Sequence, residues 1–161
     1  MTDPSHAGSE LYRAETRKIA AQITTADGTR YQGELYLQPN VLRPGGFESP
    51  LDLLNRPEPF FALARDGGVV FLSKAQTAVI ECATSDTPPD AEPERLATVV
   101  ELPVDLATGD SYRGSVAWEL PPDRSRLSDF LNSSDPFLAL AGDTLTWYLN
   151  RAYLRAVHQA A

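Results

Sequence analysis

The sequence predicts a mainly β protein built from two tandem copies of one small module. Residues 50–80 align with residues 127–157 at a constant offset and without a gap. Upstream of these, Ala26–Leu35 matches Ala107–Val116, again with aligned glycines. Both copies consist of short apolar runs separated by Gly, Asp and Pro turn signals. Such closely spaced short strands are typical of barrels or sandwiches.

The two copies share a signature around a predicted helical turn and the strand after it. The loop that precedes the turn is shorter in the second copy, and loops between matched elements tolerate such length changes. The signature pairs are Asp52/Asp129, Leu54/Leu131, Asn55/Asn132 and Phe60/Phe137.

This self-similarity divides the chain into four segments. Residues 1–16 are polar and unpatterned at their start and are predicted to be a disordered or loosely ordered tail. The first repeat spans 17–83 and the second spans 96–161. Between them, residues 84–95 are acidic and rich in proline, a composition that favours an extended linker.

The first two strands of the first repeat are predicted to form a hairpin. Lys18–Thr24 and Tyr31–Leu37 flank the dipeptide Asp27-Gly28, which favours a tight turn between antiparallel strands. Alternate residues of the second strand share one face. Gly33 lies inside that strand, which indicates a sharp bend or close approach of another backbone.

A short helical turn, Leu51–Asn55, is predicted after a loop rich in Pro and Gly. Asp52 and Asp129 lie near the start of this turn in the two repeats, where a carboxylate accepts backbone N–H groups and is favoured by the helix dipole. This capping role is favoured over an active-site carboxylate. Asn55 and Asn132 lie where the helix would end, and Asn tolerates the left-handed conformation often found there.

The rest of the first repeat predicts three more strands, Phe60–Ala64, Val69–Leu72 and Thr77–Cys82. The second repeat predicts the same order of strands and turns. Paired apolar positions in these elements are predicted to be core: Leu54/Leu131, Phe60/Phe137 and Leu63/Leu140.

The apolar spacing of the last strands resembles that of Sm-like and SH3-like domains. Leu149, Leu154 and Val157 fit the pattern of the Sm family, and Leu72, Thr77 and Ile80 hold the same places in the first repeat. The resemblance implies two tandem small five-stranded barrels, each with a short helical turn inserted after the second strand.

Residues 126–132 read Arg-Leu-Ser-Asp-Phe-Leu-Asn and are similar to a stretch of an uncharacterised bacterial domain family. That resemblance implies no activity. The RNA-binding loops of Sm proteins have no counterpart, because Ser73-Lys74 and Asn150-Arg151 stand where those proteins carry Arg-Gly. RNA binding therefore does not carry over.

Composition excludes several classes of function. The formal net charge is −8, so the chain lacks the positive surface that nucleic acids and anionic membranes attract. Cys82 is the single cysteine and permits neither an intrachain disulfide nor a cysteine metal cage. No apolar run has the length of a membrane span, and the N-terminus lacks a signal-peptide pattern, so a cytoplasmic protein is expected.

No catalytic, cofactor-binding or metal-binding constellation is predicted. His6 and His158 have no matching carboxylate pattern nearby, and Cys82 is more simply a buried, inert thiol than a nucleophile. The glycine pairs are turn signals without the context of a phosphate-binding loop.

The predicted function is a non-enzymatic interaction or assembly module whose partner is another protein or a second copy. Small barrels leave strand edges available for pairing. Aromatic side chains with a polar tip are enriched at interfaces. The candidate contact residues are Arg113, Arg126, Trp118, Tyr148 and Tyr153.

The alternative is a sensor of a small ligand or nucleotide. It would bind in the cleft between the repeats, because arginine suits phosphate recognition. Its candidate anion contacts are Arg43, Arg113, Arg124 and Arg126.

Overall fold

The chain folds into a ten-stranded antiparallel sheet with two short helices. The structure is a computed structural model that describes residues 16–43, 46–87, 98–118 and 126–160. The predicted tail, up to residue 15, and residues 88–95 of the predicted linker lie outside the described residues. The linker's first residues, Thr84–Asp86, form a 3-10 turn.

The described strands and helices follow the predicted order closely. The N-terminal half contains β1 (Arg17–Thr25), β2 (Arg30–Leu37), α1 (Pro50–Asn55), β3 (Phe60–Arg65), β4 (Gly68–Ser73) and β5 (Thr77–Ala83). The C-terminal half contains β6 (Thr98–Leu106), β7 (Ser111–Trp118), α2 (Leu127–Leu131), β8 (Phe137–Ala141), β9 (Leu145–Asn150) and β10 (Leu154–Val157).

The two halves have the same strand order within the sheet. Across the whole sheet the order is β10-β6-β7-β8-β9-β5-β1-β2-β3-β4. In each half the last strand pairs with the first, followed by the second, third and fourth strands. The halves meet where β5 pairs antiparallel with β9. Among the described strands, β4 and β10 therefore form the two outer edges.

Glycine allows the tight turns and one close approach in each half. Gly28 and Gly109 have φ values of 86° and 96°, which favour glycine over residues with a Cβ. A Cβ on Gly33 would overlap the carbonyl oxygen of Ala64 on β3. A Cβ on Gly114 would lie 2.6 Å from the carbonyl oxygen of Ala141 on β8. The predicted close approach at Gly33 is confirmed.

The capping role predicted for the paired aspartates is confirmed. Asp52 Oδ2 accepts a hydrogen bond from the Ser49 backbone N–H at 3.0 Å, and Ser49 Oγ accepts one from the Asp52 N–H at 3.2 Å. Asp129 Oδ2 accepts one from the Arg126 N–H at 3.2 Å. These bonds satisfy backbone donors that a short helix leaves unpaired at its first turn.

The prediction that Asn55 and Asn132 adopt the left-handed conformation is wrong. Among the described residues only glycines have positive φ, and Asn132 has a φ of −93°. Asn55 is the last residue of α1, which ends without a left-handed residue. Its side chain is used elsewhere, at the contact between the halves.

Two apolar cores lie on the sheet, and each draws mainly on one half. The first core contains Ile23, Leu35, Leu54, Leu63 and Ile80, together with Phe137 and Tyr148 of the C-terminal half. The second core contains Leu102, Val104, Leu106, Leu140 and Leu149, together with Val79 of the N-terminal half.

One predicted core position is wrong. Phe137 is 1% exposed, whereas its counterpart Phe60 is 56% exposed. Leu131 is half-buried and packs against the second core, unlike the fully buried Leu54. Identical residues in the two halves therefore have different surroundings.

Candidate functional site

The pairing of β5 with β9 joins the two halves of the sheet. Its register sets Val79 opposite Leu149 and Ile80 opposite Tyr148. Successive side chains of a strand point to opposite faces. Val79 and Leu149 therefore pack in the second core, whereas Ile80 and Tyr148 pack in the first core. Each half therefore completes the core of the other at this junction.

Asn55 holds the start of β8 through its side-chain amide. Its Oδ1 accepts a hydrogen bond from the Phe137 backbone N–H at 2.9 Å, and its Nδ2 donates one to the Phe137 carbonyl at 3.2 Å. Both backbone groups of one residue are thus bound by one side chain. This fixes the register of β8 against α1 at the position where Phe137 enters the first core.

Further side-chain hydrogen bonds surround the apolar centre of the junction. Asn150 Nδ2 donates to the carbonyl oxygens of Lys74 and Thr77 at 3.2 and 2.9 Å. Trp147 Nε1 donates to Glu81 at 2.9 Å, and the Tyr153 hydroxyl donates to the Ala75 carbonyl at 2.7 Å. The junction thus combines apolar pairs with side-chain hydrogen bonds between the halves.

One face of the β3–β4 hairpin is exposed. It is the counterpart of the face of the β8–β9 hairpin that is buried at the junction. Ala62 lies opposite Phe71 and Ala64 opposite Val69, so Phe60, Val69 and Phe71 share one face of the hairpin. These three residues, named here the outer patch, are 56%, 49% and 68% exposed.

The outer patch is the counterpart of a surface that is buried in the other half. By the sequence alignment, Phe60 corresponds to Phe137 and Phe71 to Tyr148. Phe137 and Tyr148 are 1% and 0% exposed, because the first core covers them. In the N-terminal half the same positions have no such cover among the described residues.

The strand at the opposite edge of the sheet is β10, the C-terminal counterpart of β5. β10 pairs with β6, where Val157 lies opposite Val104, and His158 continues this pairing through a 3.0 Å bond from its backbone N–H to the Pro103 carbonyl. Val157 occupies the place of Ile80 and packs against the second core. Asn132, the counterpart of Asn55, is exposed, and its amide donates to the Ser128 carbonyl at 2.7 Å.

A polar pocket lies beside α1 and is lined by residues of the N-terminal half alone. Its volume is about 410 Å³. Buried Glu48 accepts from the Gln38 backbone N–H at 3.0 Å and lies 3.5 Å from an Arg56 guanidinium nitrogen. Burial raises the pKa of Glu48, against the lowering effects of that N–H and of Arg56. Asp52, which also lines the pocket, forms an ion pair of 2.6 Å with Arg43.

Two aligned cations, Lys74 and Arg151, bind the ends of the helices, a feature absent from the sequence-based predictions. Buried Lys74 donates through Nζ to the carbonyl oxygens of Leu53 and Arg56 at 2.8 and 3.0 Å. Arg151 donates through Nη1 to the carbonyl oxygens of Phe130 and Leu131 at 2.8 and 3.1 Å. Their alignment directly after β4 and β9 was the available signal. Burial lowers the pKa of both Lys74 and Arg151.

The residues predicted to contact a partner or ligand lie in separate surroundings. Arg113 forms an exposed ion pair with Glu101 at 2.9 Å, and Arg126 Nε lies 3.4 Å from Asp129. Trp118 is 6% exposed and stacks on the Phe130 ring with centroids 5.1 Å apart. Arg124 lies outside the described residues.

Two of the aromatic candidates contribute to a contact within the chain. Tyr148 is fully buried at the junction, so its side chain is available to the N-terminal half and not to an external partner. Tyr153 bonds the carbonyl of Ala75 across the same junction. Both aromatic side chains therefore form contacts between the two halves of the chain.

His158 pairs with a carboxylate, and Cys82 is a buried thiol. His158 Nε2 lies 2.8 Å from Asp105 Oδ2, so the expectation that no carboxylate matches His158 is wrong. This hydrogen bond, followed by one from Ser111, lowers the pKa of Asp105. Cys82 is buried, as predicted, and burial raises the pKa of its thiol to about 12. His6 lies outside the described residues.

Within the four described stretches, no three metal-ligating side chains of the His, Cys, Asp and Glu types are grouped as a metal site. None of the helices in this part of the chain has the length and apolar character required to traverse a bilayer. In comparisons with known proteins, no family model, no curated protein and no solved structure matches the chain.

Proposed function

We propose that this chain is a non-enzymatic protein-interaction module that binds through its outer sheet edges. The observation that carries the proposal is the contrast between the outer patch and its buried counterparts at the junction. A row of aromatic side chains on an edge hairpin is a surface that soluble proteins usually cover. A partner that adds a strand to β4 would pair its free backbone groups and cover Phe60 and Phe71.

The same proposal gives each half a defined architecture. Each half would be a small five-stranded barrel of the Sm-like or SH3-like type, with its helix after the second strand. The shared strand order and the separate cores support this arrangement. A barrel that remains open between its fourth and fifth strands leaves those two edges for pairing, and β9 and β5 use theirs on each other.

The alternative function, binding of a small ligand or nucleotide between the repeats, has less support. The pocket beside α1 is lined by one half only, and Arg113 and Arg126 each pair with an acidic residue of their own half. The alternative stays a prediction. A thermal-shift screen with nucleotides tests it, because a ligand that binds only the folded state raises the midpoint.

Site-specific photocrosslinking tests the proposed function. The photoreactive residue p-benzoylphenylalanine replaces Phe71 in the full chain, and in a matched control it replaces Val99, which is 63% exposed on β6. Irradiation in the native cells should give a discrete protein adduct at position 71 and none at position 99. The adduct should disappear when Phe60→Ser is added. Failure to form any adduct at position 71 would overturn the proposal.

A further inference from the structure

We infer that the partner of the outer patch is a second copy of this chain, joined head to tail through β4 of one copy and β10 of the next. This inference rests on the proposed function and identifies its partner. Its template is the junction inside the chain, where the fourth strand of one half pairs with the fifth strand of the other. The sheet ends in the same two kinds of strand, one at each edge.

The junction register can be transferred to the new contact position by position. Ile80 opposite Tyr148 becomes Val157 of one copy opposite Phe71 of the next. In the same way, Cys82 opposite Thr146 becomes Gln159 opposite Val69. Antiparallel pairing in this register would extend β10 through residues 158–160, which the structure describes without strand conformation.

The side chains brought together in this register are chemically compatible. Phe60 and Phe71 would lie over the second core of the neighbouring copy, as Phe137 and Tyr148 lie in the first core within one chain. Val157 already packs against that second core, so the apolar surface would be continuous. Burial of two half-exposed aromatic rings supplies the apolar centre that protein interfaces need.

Asn132 is placed to act as Asn55 does. Asn55 binds both backbone groups of Phe137. Its counterpart Asn132 is exposed at the end of α2, and the residue it would meet is Phe60, the counterpart of Phe137. The Asn132 amide would exchange its local bond to Ser128 for the backbone of the incoming strand. We therefore assign Asn132 to fixing the register of the assembly.

Several polar contacts of the junction are weaker or absent at the new contact. Trp147 and Glu81 are replaced by Val70 and His158, which removes one hydrogen bond. Ser73 and Gln76 occupy the positions of Asn150 and Tyr153, which donate hydrogen bonds at the junction. The side chains of Ser73 and Gln76 can also donate hydrogen bonds. The contact between copies is therefore weaker than the junction and should depend on concentration.

Such an interface is heterologous, because the two surfaces in contact are different. Repetition of a heterologous contact gives a ring when the rotation between copies closes and a filament when it does not. A filament, or a ring of three or more copies, would be larger than the dimer formed by two-fold pairing of β4 with β4.

Sedimentation velocity of the purified full chain over a concentration series tests the inference. The natural chain should form species larger than a dimer as concentration rises. Phe71→Lys should weaken association at least about tenfold, because a charge replaces a central buried ring. Val99→Lys is the matched control and should sediment like the natural chain. A natural chain that stays monomeric throughout, or a Val99→Lys variant as defective as Phe71→Lys, would overturn the inference.

Cysteine crosslinking tests the register without removing an aromatic residue. A chain with Val69→Cys is mixed with a chain with Gln159→Cys under mild oxidation, because directly opposed residues of antiparallel strands lie within disulfide reach. A disulfide should form in the mixture and in neither chain alone, since buried Cys82 has a pKa of about 12 and remains a thiol. A disulfide within the Val69→Cys chain alone would show two-fold pairing and overturn the inference.

The two tests separate this inference from the proposed function. A monomeric purified chain that still forms an adduct with a different protein at position 71 would reject the second copy as partner and retain the interaction module. A monomeric chain with no adduct at position 71 would reject both.

Discussion

Phe71 and Tyr148 occupy the same place in the two halves of the chain, and they have opposite surroundings. Phe71 is 68% exposed and Tyr148 is 0% exposed. Both lie on fourth strands that pair with third strands in the same register. The difference arises at the next edge, because β9 meets β5 while β4 meets no described strand. In this sheet, the position of the strand decides whether the aromatic residue is buried or exposed.

The largest expected contrast is between alanine substitutions at these two positions. Tyr148→Ala should lower the free energy of unfolding by about 3–5 kcal/mol, because it leaves a cavity in the first core. Phe71→Ala should lower it by about 1 kcal/mol or less, since the ring is exposed in a single chain. Urea unfolding at a concentration where the chain is monomeric measures both. Equal losses would show that the two fourth strands do not differ as described.

Glycine substitutions test a feature that the halves share. Gly33→Ala and Gly114→Ala should each cost about 1–3 kcal/mol, because the new methyl group meets a backbone carbonyl of the neighbouring strand. Gly68→Ala is the control, because a Cβ there meets nothing within 4 Å. This variant should be neutral or more stable by about 0.4–1 kcal/mol, since alanine restricts the unfolded chain. Thermal unfolding of the three variants ranks them, and a stable Gly33→Ala chain would contradict the close approach of β2 and β3.

Alanine substitutions of Asn55 and Asn132 should also differ in their effect on the free energy of unfolding, by a smaller amount. The larger loss is again expected at the position that is bound at the junction. Asn55→Ala removes both hydrogen bonds to Phe137 and should cost about 1–3 kcal/mol. Asn132→Ala should stay within about 0.5 kcal/mol in the monomer, because its side chain is exposed. The same Asn132→Ala chain should associate more weakly in sedimentation experiments. An Asn132→Ala chain that assembles normally would exclude the role assigned to Asn132.

The smallest expected effect is a difference in how acid changes the stability of the first hairpin in each half. A hydrogen bond from the Thr25 hydroxyl, followed by the Thr29 backbone N–H, lowers the pKa of Asp27 from 3.8 to about 2. Because the pKa is lowered by folding, the stabilisation is complete above pH 3.8 and is lost as pH falls through about 2. In the C-terminal half the residue aligned with Asp27 is Thr108, which carries no carboxylate.

Side-chain NMR titration of Asp27 checks this expectation directly. In the natural chain the carboxylate should titrate near pH 2. Thr25→Val should raise the pKa toward the ordinary aspartate value by removing the first donor. Asp27→Asn should lower stability slightly at neutral pH, and its difference from the natural chain should shrink as pH falls through about 2. An unchanged Asp27 titration in Thr25→Val would assign the shift to another group.

Local patterns in the sequence predicted the elements well, because the causes of those elements are local. Gly28 and Gly109 mark turns that need a positive φ, and Asp52 and Asp129 cap helices through bonds spanning three residues. The alignment of the halves likewise predicted a common strand order. Each of these signals lies within a few residues of the structure it specifies.

The candidate site could be predicted only in part, because its contacts join distant segments. The exposure of Phe60 and the bond from Asn55 to Phe137 depend on which sheet edge meets which. His158 and Asp105 meet only because β10 pairs with β6. No composition or periodicity within one repeat encodes these choices, so the alignment with Phe137 predicts a buried Phe60, which is wrong.

The alternation of side chains along β5 and β9 has a consequence for how the chain unfolds. Since Ile80 and Tyr148 enter one core while Val79 and Leu149 enter the other, neither core can lose its packing without exposing part of its neighbour. The two halves should therefore melt together in a single calorimetric transition, although residues 84–95 separate them in the sequence. A protein organised as two similar units would then behave in thermodynamic terms as one.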